Sequence, residues 1–98
     1  MFLAKVIGNV VATQKNEKFH GMKLLLIQPH INKDRVLVPS GSSVVAVDSV
    51  GAGLGECVLF TQGSSARLTP TTKDAPVDCV IVGIVDTVEV DGQKVEQP

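Results

Sequence analysis

Gly51-Ala52-Gly53-Leu54-Gly55 is the stretch of this 98-residue chain that comes nearest to a ligand-binding motif. Alternating glycines let backbone N–H groups converge on a phosphate, as they do in dinucleotide-binding and Walker loops. The dinucleotide fingerprint calls for glycine at position 56, where Glu56 stands. A Walker loop needs a Gly-Lys-Ser/Thr run, and the sequence has none. Glu56 would also set a negative charge where phosphate should lie. The glycines are read instead as a tight passage where another chain or loop comes close.

The other groups capable of chemistry are scattered. His20 and His30 stand at zinc-ligand spacing neither from each other nor from a cysteine, and are expected to be exposed and inert. Cys57 and Cys79 sit in apolar strand patterns and are expected as reduced, buried small hydrophobes. Ser64 and Ser65 follow Gly63 without the Gly-x-Ser-x-Gly elbow of a nucleophilic serine. Asp48, Asp78 and Asp86 fall at predicted strand ends, where carboxylates commonly accept turn hydrogen bonds. Arg67 follows a run of small residues, and its planar five-donor head suits a paired carboxylate. On the residues alone its ordinary reading is a solvated side chain. No catalytic, metal-binding or cofactor-binding residue is assigned.

Composition narrows the partners. Lys plus Arg is 9 against 10 for Asp plus Glu, a net charge of −1. Nucleic-acid affinity rests largely on neutralising phosphates, so no nucleic-acid partner is expected. Three Phe and no Trp or Tyr leave no stacking platform for single strands either. No apolar run reaches the roughly 20 residues of a membrane-spanning helix, so no membrane partner is expected. Lys5 interrupts the apolar N-terminus, which reads as a mature strand rather than a signal peptide. With only two cysteines, a cytosolic location is expected.

The elements that position these residues are strands. Val, Ile and Leu dominate the apolar residues, and helical periodicity of useful length is absent. Residues 2–13 form a long strand with a bend or bulge at Gly8. Residues 14–21 read as a loop, and 22–28 as a strand that Pro29 ends or places on an edge. A polar turn is expected at 32–34, then strand residues 35–38, 44–48, 56–61 and 77–85, the last with a bend at Gly83. Asp91-Gly92 is a type I′ hairpin signal, and residues 96–98 are expected to fray. Together these predict an all-β fold: a small, OB-like closed β-barrel of five to six strands. The barrel domain is placed at residues 1–90, with the placement of 91–98 open.

Three blocks carry a family resemblance. They are Ala4 to Lys15; Val47-Asp48-Ser49-Val50-Gly51-Ala52-Gly53-Leu54-Gly55-Glu56 with Gly63-Ser64-Ser65-Ala66-Arg67 after it; and Pro76-Val77-Asp78 leading to Gly83-Ile84-Val85-Asp86. With Lys23-Leu24-Leu25-Leu26 between them, they resemble the EutN/CcmL family of bacterial microcompartment vertex proteins. The Asp-Ser-Val-Gly-Ala-Gly-x-Gly-Glu block is the most specific.

The resemblance implies a cyclic homopentamer, structural and not enzymatic, without cofactors, in the microcompartment shell of the bacterial cytoplasm. Its other partners would be hexameric and pseudohexameric shell proteins. It further implies a subunit interface near the five-fold axis at Asp48, Ser49, Val50, Gly51, Ala52, Gly53, Gly55 and Glu56. A second interface segment would comprise Ser64, Ser65, Ala66 and Arg67. The alternative is an OB-fold module that binds nucleic acid or a small ligand. A small enzyme pairing a histidine with a cysteine is the third possibility.

Overall fold

The computed structural model describes residues 1–12, 21–63, 66 and 78–97. His20, Ser64, Ser65 and Arg67 lie outside the described residues. The strands are β1 Phe2–Val10, β2 Lys23–Lys33, β3 Val36–Pro39, β4 Val44–Asp48, β5 Cys57–Gln62, β6 Cys79–Val85, β7 Glu89–Val90 and β8 Gln93–Lys94. No α-helix occurs among the described residues.

Five of the strands close on themselves in the order β1-β5-β6-β4-β2 and back to β1, with β3 added on the far side of β2. Every barrel pairing is antiparallel except β4 with β6. This is the OB-like barrel expected of the sequence. Alternation along the strands points one set of side chains inward. Ala4 and Val6, Leu25 and Ile27, Ala46, Val58 and Phe60, and Cys79 and Ile81 make the core. Burying a side chain of the Val, Leu, Ile or Phe kind contributes about 1.5–3 kcal/mol over leaving it exposed. Outside the barrel, Val47, Val80 and Ala66 form a second buried cluster, with Met22, Leu24 and Val82 packed on it.

Two irregularities bend the sheet enough to close it. The β1–β2 register shifts between Val6 and Gly8, so Ile7 is the extra residue. The β5–β6 register shifts opposite Val82, next to Gly83. Both fall beside glycines, as the sequence pattern predicts.

β2 does not stop at Pro29; it runs on to Lys33. Pairing with β4 ends at Ile27↔Val44, and pairing with β3 begins at His30↔Pro39. Pro29 therefore sits where one neighbour gives way to the other, and its missing N–H leaves no ladder position empty. Its carbonyl accepts from Ser40 N–H at 2.9 Å. The continuation places the turn at Asp34-Arg35 rather than at 32–34, with φ of 52° and 63°. A two-residue hairpin loop of this handedness matches the right-handed twist of the strands.

The chain end is also ordered against this arm. Asp91 and Gly92, with φ of 53° and 78°, turn β7 into β8. Leu37 N–H then donates to the Glu96 carbonyl at 2.8 Å, and Glu96 N–H donates to the Arg35 carbonyl at 2.9 Å. Gln97 reaches the Asp86 carbonyl at 3.3 Å. Residues 96 and 97 thus do not fray: Glu96 satisfies backbone groups of Arg35 and Leu37 along the open edge of β3, and Gln97 bonds to Asp86 beyond β6.

Phe60 is among the largest fully enclosed side chains. Phe60→Ala is expected to lower unfolding stability by about 3–5 kcal/mol. Urea titration at one fixed protein concentration measures it.

Candidate subunit interface

The glycine loop is built from the end of β4. Asp48 pairs across the sheet with Lys23 of β2 and Ile81 of β6, which delivers its side chain to one mouth of the barrel. The carboxylate is 1% exposed. Burying such a group is costly unless its oxygens are hydrogen-bonded. Here they are. Oδ1 accepts from the N–H of Val50 at 3.1 Å and of Gly51 at 3.2 Å, and Oδ2 accepts from Ala52 N–H at 2.9 Å. Lys23 Nζ lies 3.7 Å from Oδ2 and donates to the Ala52 carbonyl at 2.9 Å. The loop is therefore coiled around one carboxylate.

Further bonds fix the remainder. Ser49 Oγ donates to the Ile81 carbonyl at 2.6 Å. Gly53 N–H donates to Glu56 Oε1 at 2.6 Å, and Glu56 N–H returns to the Gly53 carbonyl at 3.2 Å. Gly55 N–H donates to the Val6 carbonyl at 2.9 Å, and Val6 N–H to the Glu56 carbonyl at 3.0 Å. Gly51 and Gly55 have φ of 79° and 85°, which side-chain-bearing residues rarely adopt. Gly53 has another reason to be small: an added Cβ would stand 3.2 Å from Glu56 Oε1.

The sequence-expected residues thus divide by direction. Asp48 and Ala52 face their own barrel, and Ala52 is part of its core. Ala66 is buried against the outside of the barrel with Val47 and Val80. Gly51, Gly55 and Glu56 are exposed, Ser49 and Gly53 partly so, and Val50 is 38% exposed. Between them stands Leu54, 76% exposed, which the sequence reading left out of the site. A signal existed. A leucine flanked by glycines in a loop belongs to no strand face, so strand periodicity gives its apolar side chain no interior place.

The described histidine and cysteines are not arranged for catalysis. His30 is buried, contrary to expectation, because it sits under the arm where β1, β2 and β3 meet; its Nδ1 donates to the Gln28 carbonyl at 2.8 Å. It lines a depression of about 10 Å³ together with Lys5, Cys57 and Gln97. That volume holds one water, not a substrate. Burial pushes the Cys57 thiol up, and burial with the charge of Asp78 pushes Cys79 up to about 11. Both thiols stay protonated at neutral pH, the reverse of an activated nucleophile. Among the described residues no group of three or more His, Cys, Asp or Glu is placed to hold a metal.

The family model described as "Ethanolamine utilisation protein EutN/carboxysome" matches residues 1–86. The chain belongs to the EutN/CcmL family. Within that family it is 51% identical over 89 residues to the bacterial microcompartment shell vertex protein GrpN of Rhodospirillum rubrum, covering 91% of this chain and 97% of the relative. Among solved structures, the GrpN pentameric microcompartment shell protein from that organism superposes with a TM-score of 0.77 at 49% identity, over 92% of this chain and 98% of its own. Gloeobacter violaceus CcmL superposes with a TM-score of 0.87 at 42% identity, over 97% and 95% of the two chains. These EutN/CcmL relatives share the closed barrel described above.

Asp48→Ala is expected to cost about 3 kcal/mol, since it orphans donors that bonded to a buried carboxylate. Chemical denaturation checks it, and loss of protection at the amides of Val50, Gly51 and Ala52 in hydrogen exchange checks the cause. For Cys79 the folded-state pKa, about 11, lies above the ordinary 9.0. Its contribution to stability is therefore present in full below pH 9.0 and is lost as pH rises through about 11. Denaturation midpoints of wild type and Cys79→Ala across that range are expected to converge. Alkylation at pH 8 is expected to modify half-buried Cys57 before buried Cys79.

Proposed function

We propose that this chain is a structural shell subunit that closes the five-fold corners of a bacterial microcompartment as a cyclic homopentamer. It works within the shell in the bacterial cytoplasm and performs no chemistry. The observation that carries this is the union of two facts: family membership over residues 1–86 and an outward-facing apolar loop held rigid by a buried carboxylate.

A flat sheet of hexagonal tiles turns into a closed polyhedron only where five units meet. A ring of five needs a head-to-tail contact whose rotation closes. The loop from Asp48 to Glu56 supplies one side of that contact. Val50, Gly51, Leu54 and Gly55 face the neighbour, while Asp48, Ser49, Ala52, Gly53 and Glu56 set the loop's shape from within. Ser64, Ser65 and Arg67 form a second contact segment, with Arg67 bridging to the adjacent protomer and Ala66 anchoring the segment to its own barrel. The hexameric and pseudohexameric tiles of the shell surround the ring. A net charge of −1 helps copies pack closely, because self-repulsion is small.

An OB module for nucleic acid gains no support from the composition, with three Phe and balanced charge.

Native mass spectrometry of the purified protein is expected to give one species of five times the 10.3 kDa chain. Co-expression with the hexameric shell proteins of the same gene cluster is expected to yield closed polyhedra, and omission of this chain open or elongated shells. A monomer at micromolar concentration, or shells that seal equally without it, contradicts the proposal.

A further inference from the structure

The barrel's apolar interior does not end where the barrel does. Inward positions alternate along β1 as Phe2, Ala4 and Val6, and along β2 as Leu25, Ile27, Pro29 and Ile31. Leu3 pairs with His30, so Phe2 and Ile31 are the next inward positions below that rung. Beyond it β2 pairs only with β3, and Ile31↔Val38 and Lys33↔Val36 continue the same face along the arm. Core packing is lost at this point. Phe2 still meets Phe60, ring centroids 5.5 Å apart, yet is 53% exposed; Ile31 is 52% exposed and Val36 37%. The opposite face of the arm is not bare. Leu37 there is buried, with the Glu96 carbonyl bonded to its backbone.

The geometry points to this shelf of Phe2, Ile31, Val36 and Val38 as the counter-face on which the neighbouring copy's loop docks through Leu54. The inference rests on the ring proposed above. A head-to-tail ring consumes two different surfaces per protomer. The loop is one, at the mouth where β4 ends and β5 begins. The shelf lies at the other mouth, where β1 begins and β5 ends, so the two belong to separate ends of the barrel. Both are largely apolar, with Lys33 at the far end of the shelf, and among the described residues neither is covered within its own chain. A second copy is the occupant because it alone carries the matching loop in the stoichiometry a closed ring demands. Leu54 would enter the shelf as a buried anchor, with Phe2 and Ile31 beneath it.

The test uses Leu54→Asp and Ile31→Asp, both on exposed side chains, in the full-length protein. Circular dichroism verifies strand content, and Val36→Lys replaces Ile31→Asp if that variant loses it. Wild type is expected to be pentameric by native mass spectrometry, and each variant alone monomeric, a fivefold fall in mass. Mixed, they are expected to form a one-to-one heterodimer and nothing larger, since each brings the face the other lacks. If Leu54→Asp is monomeric while the shelf variant remains pentameric, the shelf is not the counter-face, though the ring stands. The same follows if shelf-variant rings form but shells stay open, which would assign the shelf to a tile. Two monomers that do not pair on mixing also overturn it. A wild type that is not pentameric overturns the ring itself.

Discussion

The Asp48 carboxylate is the constraint on which this small protein depends. A surface that has to match a neighbour's must hold one shape before they meet, because ordering it on contact would subtract from the affinity. Ninety-eight residues leave little core with which to enforce such order. One buried side chain does it here instead, by gathering three successive N–H groups of its own loop while Lys23 clamps the far side. The arrangement turns a desolvated charge into a rigid fold of backbone. It also drives the methyl of Ala52 into the core and sets the loop's apolar members outward.

The barrel serves that loop. Its five strands meet at one mouth, where the loop leaves β4, bonds to Ile81 of β6, Lys23 of β2 and Val6 of β1, and enters β5. Two bulges beside glycines supply the curvature. The arm made by the long second strand extends the same pleated face past the closed part of the barrel. Apolar residues that complete a core in one half of β2 become surface in the other half, with no change in pattern. In a protein that lived alone this would be an aggregation hazard. In the proposed ring, a neighbouring copy covers it.

The sequence carried the barrel because period-two alternation and glycine bends are local signals, readable residue by residue. The bulge near Gly8 and the Asp91-Gly92 turn were legible for the same reason. β2 running through Pro29 was not, since whether a missing N–H matters depends on which neighbour lies beside it, a fact of the closed sheet. The place of the tail was not legible either: its partner, the edge of β3, is distant in sequence. Asp48 was legible as a carboxylate that accepts turn hydrogen bonds, while the number and identity of its donors were not. His30 read as exposed because the arm that buries it follows later in the chain. Leu54 escaped notice because an apolar residue among glycines has no period to reveal its direction. Ile31 and Val36 look like core to any pattern, and only the extent of the barrel shows that they are not.

An electron cryo-microscopy reconstruction of the purified assembly, computed without imposed symmetry, tests the central claim most directly. It is expected to show five identical copies related by rotation alone, each burying its Val50-to-Leu54 loop against a different surface of the next copy. A self-complementary two-fold contact, another ring number, or a ring whose loops all stand in solvent would contradict it.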